Sequence, residues 1–166
     1  MKVETPIAFS FIMQEELYLL TKDKTTNNIA VTPPAVETQQ VAFNFLGGNK
    51  KNFLVVVYYP ALEFIEKNHF VALENILKRL GFSVDDTAVF NKAKYKDTTA
   101  LQLMDFFKPE KMLLLGQPSL PKGIGLLAFN KPQHINNCHT LFSFSFDEMM
   151  DNNENKKIFW EQMKLL

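Results

Sequence analysis

The side chains best suited to chemistry are three histidines and one cysteine. His134, Cys138 and His139 lie in one short stretch, whereas His69 stands apart. A metal or nucleophile site would need more converging partners, because structural zinc sites use about four ligands and a nucleophilic thiol needs a positioned base. The stretch has one thiol, no positioned carboxylate and a strand-like continuation. We interpret it as a structural loop, with a metal or nucleophile site as the alternative.

The remaining candidates are His69 and an acidic pair, Asp85-Asp86. His69 lies in a predicted helix without a second ligand four residues later, so metal binding is not predicted there. The acidic pair follows Ser83, and helix capping or solvent exposure explains it. The chain contains no nucleophile elbow, dinucleotide fingerprint or zinc-protease motif, and Gly47-Gly48 is not followed by the Gly-Lys-Ser/Thr of a phosphate loop. We predict no catalytic residue, cofactor or metal.

Bulk composition indicates one globular domain of ordinary size. The chain has 166 residues, of which 46% are hydrophobic, and its 18 basic residues balance its 18 acidic ones. No overall field therefore attracts nucleic acid. Lys92, Lys94 and Lys96 form a local cluster that we interpret as a solvated face, with phosphate contact as the alternative. A single cysteine, no signal peptide and no membrane-length apolar run predict a cytoplasmic protein.

The elements that must position these residues centre on Phe53–Pro60, a continuous apolar run that ends at proline. Such a run is typical of a strand covered by helices on both faces. The order of elements predicts an α/β fold, a single-domain three-layer α/β/α arrangement around a mostly parallel sheet of about four strands. The predicted helices are 64–80, 98–107 and 153–166, and the further predicted strands are 87–90, 111–115, 124–129 and 141–146.

The segment before the first long strand is predicted to pair with it. Val41–Leu46 has the composition of a strand, Gly47–Asn52 that of a turn, and Phe53–Tyr59 would return antiparallel as a hairpin.

The N-terminal segment is predicted to form an amphipathic helix over residues 8–20. Its apolar positions fall near helical spacing: Phe9, Ile12, Met13, Leu17 and Leu20. A breaker-rich stretch follows, so we divide the chain into a helical arm, 1–28, and an α/β domain, 29–166. The helix either packs on its own domain, as amphipathic helices usually do, or binds a partner.

Three stretches together resemble the uracil-DNA glycosylase superfamily. Leu73–Asn91 is similar to its segment of a helix ending at Leu-Gly, an acidic turn and a strand ending in asparagine. Phe107–Gly116 is similar to its strand ending in Leu-Gly, and Met149–Lys164 resembles its closing Asn, Lys and Trp stretch. The resemblance covers about the C-terminal two-thirds of the chain, and it implies the glycosylase fold.

The catalytic motifs of that family are replaced. Its Gly-Glu-Ala-Pro-Gly-like loop corresponds to Tyr58–Ala61, and its His-Pro-Ser motif corresponds to Ser145-Phe146-Asp147. The chain thus lacks both the activating carboxylate and the charge-stabilising histidine on which hydrolysis depends. We expect the fold without the chemistry.

A catalytically silent family with this fold is the psi subunits of bacterial DNA polymerase III, which this chain resembles in length and pattern. The resemblance implies a DNA replication accessory protein acting through protein–protein interaction, with clamp-loader subunits and a chi-like subunit as partners and Phe9–Leu20 as the candidate contact. One alternative is a divergent uracil or damaged-base glycosylase using Asn91 or Asp147. Another is a small-ligand protein using the crevice at the ends of 53–59 and 112–115.

Overall fold

The computed structural model describes residues 42–166, within a compact unit that spans residues 40–166. The predicted helix over 8–20, its five apolar residues and the boundary after residue 28 lie outside the described residues. The described part contains five strands and four helices. In chain order they are β1 (Phe53–Val57), α1 (Lys67–Arg79), β2 (Thr87–Asn91), α2 (Ala100–Phe107), β3 (Lys111–Leu115), β4 (Pro132–Ile135), β5 (Cys138–Ser143), α3 (Phe146–Met150) and α4 (Asn153–Met163).

The strands form one sheet in the order β2-β1-β3-β5-β4. All neighbouring pairs are parallel except β4 and β5, which are antiparallel. The predicted α/β class and mostly parallel sheet are therefore confirmed, with five strands rather than about four. We call the edge where the parallel strands end the carboxyl edge of the sheet.

Side chains of β1 alternate between two hydrophobic clusters, as the two-residue repeat of a strand requires. Phe53, Val55 and Val57 pack with buried residues of α1, α3 and α4. Leu54 and Val56 pack with buried residues of α2. Every residue of β1 is buried, which explains why the strand is a continuous apolar run rather than an alternating one.

Helix α1 begins at Lys67 rather than at residue 64, buries one stripe, and is followed by Gly81 in the predicted capping position. Leu73 and Leu77 are buried one turn apart. The N–H of Gly81 donates to Lys78 O and that of Phe82 donates to Leu77 O, which is the Schellman pattern. Gly81 has φ +78°, a left-handed conformation that glycine adopts without cost.

The predicted hairpin before β1 is wrong. Both edges of β1 are occupied by parallel neighbours, so no antiparallel partner can pair with it. Residues 42–46 instead reach the outer edge of β2, where Leu46 forms an isolated antiparallel bridge with Val89. The following turn is fastened to the segment entering β2, because the N–H of Asn49 donates to Thr87 O and that of Lys50 donates to Asp85 O.

Gly47 allows this close approach of two backbones, and its replacement gives a test. A Cβ on Gly47 would lie 2.2 Å from Thr87 O and 2.6 Å from Val84 O, at φ +106°. We expect Gly47→Ala to lower the free energy of unfolding by about 2–4 kcal/mol, measured by urea denaturation. Gly123→Ala is the matched control, because it has φ +75° and open space, and should cost about 1 kcal/mol. Equal losses would contradict the steric explanation.

Further differences between the predicted and the observed elements lie in the C-terminal third. The predicted strand 124–129 is absent from the described structure, where only Phe129 forms a bridge, to Phe142. The predicted strand 141–146 begins earlier and ends at Ser143, because Ser145 starts the unpredicted helix α3 through a capping box with Glu148. Strand β4 was not predicted. The last helix begins at Asn153 as expected and ends at Met163 rather than at residue 166.

No helix among residues 42–166 is both long and apolar enough to cross a membrane.

Candidate functional site

An open apolar cleft lies between α1, α3 and α4. Its volume is about 270 Å³, just below the roughly 300–1,000 Å³ of pockets that bury a drug-sized molecule. The cleft therefore suits a few apolar side chains better than a whole small ligand. Its lining residues are Ala72, Asn75, Ile76, Arg79, Phe146, Met149, Met150, Lys156, Phe159 and Trp160.

The wall formed by α3 and α4 is held by local caps. Asn152 caps α4, because its Oδ1 accepts from the N–H groups of Glu154 and Asn155. The side chain of Asn155 in turn donates to Glu148 O in α3. Lys156 Nζ donates to Met150 O. These bonds fix the angle between two short helices and thereby the shape of the cleft.

The charged residues that line the cleft are both basic. The Arg79 guanidinium lies 5.8 Å from the centre of the Trp160 ring, and Lys156 stands on the opposite wall. Among residues 42–166, no carboxylate lines the cleft. An apolar floor with two cations at its edge favours a ligand with apolar anchors and negative charge.

A polar cluster adjoins the cleft at the carboxyl edge. His69 is buried, its Nδ1 lies 2.7 Å from the Tyr59 hydroxyl oxygen, and its ring stacks on Phe146 at 5.4 Å between centres. Asp147 Oδ1 lies 4.0 Å from His69 Nε2, and Glu66 Oε2 lies 3.6 Å from Nδ1. One ligand atom from each of His69, Glu66 and Asp147 fits within 4.8 Å, a grouping that helical spacing alone did not reveal. In this arrangement Nδ1 is already engaged by Tyr59.

Burial raises the pKa of Tyr59 above its usual range, and the negative charges of Asp147 and Glu66 raise it further. The phenol therefore stays protonated and can donate to His69 Nδ1.

This raised pKa predicts a loss of stability at high pH. The folded protein keeps the Tyr59 proton at pH values where the unfolded chain, with a tyrosine pKa of about 10, releases it. The contribution is complete below about pH 10 and is lost as pH rises further. We expect the free energy of unfolding, measured by urea denaturation, to fall more steeply above about pH 10 for the native chain than for Tyr59→Phe. Parallel curves would contradict this.

Asn91, at the end of β2, is buried and holds the loop that follows β1. Its Oδ1 accepts from the N–H groups of Tyr59 and Ala93. Its Nδ2 points at the carbonyl oxygens of Tyr59, Leu62 and Glu63, at 2.8–3.2 Å. Every polar atom of the amide is thus engaged with backbone, and the asparagine organises the carboxyl edge.

The lysine cluster also lies at this edge and bridges loops. Lys92 Nζ donates to Pro118 O, beyond β3, and Lys94 Nζ donates to Pro60 O, beyond β1. Partial burial lowers the pKa of Lys92, and the nearby charge of Lys122 adds to this. The two amines thus hold the loops that follow β1 and β3 at the edge that we considered for a small ligand.

The other candidate stretch, at residues 134–139, is a hairpin between β4 and β5 rather than a loop. Cys138 is buried, and burial raises the pKa of its thiol. The sequence pattern does not reveal the cleft, because its apolar residues have the helical spacing of ordinary core positions.

Comparison with known proteins finds no family model that matches this chain and no curated protein whose sequence matches it.

Proposed function

We propose that this protein is a non-catalytic accessory protein of DNA replication, similar to the psi subunits, that holds two partners together. Its N-terminal segment around residues 9–20 binds clamp-loader subunits. Its folded body binds a second, chi-like partner through the cleft between α1, α3 and α4. The cleft is the observation that carries the proposal.

The chemistry of the cleft favours a protein segment as its occupant. Helix faces meeting at an open apolar groove commonly receive the apolar side chains of a partner helix or strand. Met150, on the rim, is 40% exposed and so presents an accessible apolar side chain beside the cleft floor. Arg79 and Lys156 would attract acidic residues beside those anchors.

For the fold we propose the three-layer, glycosylase-like arrangement. Two observations support it. The sheet carries a separate hydrophobic cluster for each set of alternating β1 side chains. In addition, the three similar stretches coincide with elements: 73–91 covers the end of α1 and β2, 107–116 covers β3, and 149–164 covers α4.

The residues at the positions of the glycosylase motifs form structural hydrogen bonds. The loop after β1 is tied down by Asn91. Ser145 is engaged in capping α3, because its Oγ accepts from the Glu148 N–H and donates to the Glu148 carboxylate. These contacts support a non-catalytic role.

The second candidate function is that of a divergent glycosylase. The position of the Asp147 side chain favours this alternative. Its side chain is 73% exposed and adjoins the buried His69, so it could meet a substrate. An enzyme of this kind would excise uracil from single- or double-stranded oligonucleotides, and Asp147→Asn would abolish the excision. No product at high protein concentration would remove this candidate.

The leading proposal is tested by affinity purification of the tagged full chain from its own host, beside a deletion of residues 1–24. We expect clamp-loader subunits with the full chain and their loss with the deletion. If no replication protein is recovered with either form, the proposal fails.

A further inference from the structure

The hairpin of β4 and β5 holds two histidines in fixed positions. Its loop has only two residues, Asn136 and Asn137, with φ of 47° and 64°. Positive φ at both central positions is the requirement of a type I′ turn, and asparagine tolerates it better than most residues. Such a turn fixes the register of the strands, which pairs Ile135 with Cys138 and His134 with His139.

The histidines form the kind of cross-strand pair in which side chains approach most closely. The N–H of His139 donates to Glu110 O, beside β3, and so points away from β4. His134 and His139 are therefore a non-hydrogen-bonded pair, with Cα atoms about 4.5 Å apart in such ladders. Their ring centres lie 3.7 Å apart.

Both imidazoles face solvent, while the neighbouring thiol does not. His134 and His139 are exposed. Cys138 points to the other side of the strand, where it is buried in the cluster that contains Leu54 and Phe107. The thiol is thus separated from the two rings. The imidazole nitrogens of His134 and His139 are the atoms that could ligate a metal at this surface.

We propose that His134 and His139 chelate one divalent transition-metal ion, such as Cu²⁺, Ni²⁺ or Zn²⁺. Imidazole nitrogen suits these ions, and metal–nitrogen bonds of about 2.0–2.1 Å place two ligand atoms of a tetrahedral site about 3.3 Å apart. Rings with centres at 3.7 Å reach that separation by small rotations. Water completes the coordination. The ion joins the edge strand β4 to β5.

Calorimetric titration of the metal-free full chain with CuCl₂ and with ZnCl₂ tests this. We expect one ion per chain, with Cu²⁺ tighter than Zn²⁺ and MgCl₂ giving no binding. The single variants His134→Gln and His139→Gln each leave one donor, and we expect a loss in affinity of about a hundred-fold or more. Cys138→Ala is the control and should retain the native affinity, because the thiol lies on the other face.

The pH dependence of metal affinity gives a second test, because protons compete with the metal for the imidazole nitrogens. Binding requires unprotonated imidazoles, so affinity for Zn²⁺ should fall as the solution is made more acidic. The two variants should keep the native circular dichroism spectrum, since both side chains are exposed. Failure of the native chain to bind either ion overturns the proposal, and so does unchanged affinity in a variant that carries both His134→Gln and His139→Gln.

Discussion

Replacing Asn91 with leucine should lower the free energy of unfolding by about 3–5 kcal/mol, the largest loss of stability that we expect from one polar side chain of this protein. Leucine has a similar size but neither donor nor acceptor. The N–H groups of Tyr59 and Ala93 would lose their acceptor, and the carbonyls after β1 would lose their donor. Each buried polar group left without a partner costs about 1–3 kcal/mol.

Asn68→Leu is the matched control for this variant. Asn68 lies exposed on α1, and within the described part of the chain its side chain forms one hydrogen bond, to Glu66, which is 3.4 Å long. We expect a change within about 0.5 kcal/mol. Urea denaturation followed by circular dichroism measures both variants. A loss below about 1 kcal/mol for Asn91→Leu would contradict the view that this asparagine holds the carboxyl edge together.

Met150→Glu should weaken binding in the cleft at least ten-fold. The change places a carboxylate on a rim where the partner buries apolar groups and brings its own acidic residues, so desolvation of the new charge and like-charge repulsion both oppose binding. Peptides of about twelve residues, selected by display on the immobilised protein, serve as ligands. We expect the selected sequences to combine large apolar residues with Asp or Glu, and their affinity to fall as salt is raised.

Ile158→Glu is the control for that experiment. Ile158 is 37% exposed, nearly as much as Met150 at 40%, and lies on α4 outside the cleft lining. The same charge at this position should change peptide affinity less than two-fold. Equal effects of the two substitutions would place the binding surface elsewhere.

The sequence predicts the central strands of the sheet well and the elements at its two edges poorly. The difference has physical reasons. Strands β1 and β3 are continuous apolar runs, a pattern that burial on both faces imposes. The hairpin prediction failed because Gly47-Gly48 looks like a turn signal, whereas glycine is needed there for backbone contact with the residues entering β2. Strand β4 was missed because Pro132–Ile135 is an edge strand without an apolar pattern.

The candidate site was less accessible to prediction than the fold. The cluster at His69 joins Glu66, three residues earlier on the chain, to Asp147, which only the tertiary fold brings near. Two local signals in the sequence do indicate elements that were not predicted. Ser145 and Glu148 have the spacing of a capping box and indicate α3, and Asn136-Asn137 between short polar strands indicates a tight turn.

The most direct test of the central claim is affinity purification of three tagged forms from the host: the full chain, the deletion of residues 1–24, and Met150→Glu. Mass spectrometry identifies the recovered proteins. We expect the deletion to lose clamp-loader subunits while keeping a second partner, and Met150→Glu to lose that second partner while keeping the clamp-loader subunits. Recovery of the same proteins with all three forms would contradict a protein that joins two partners through separate surfaces.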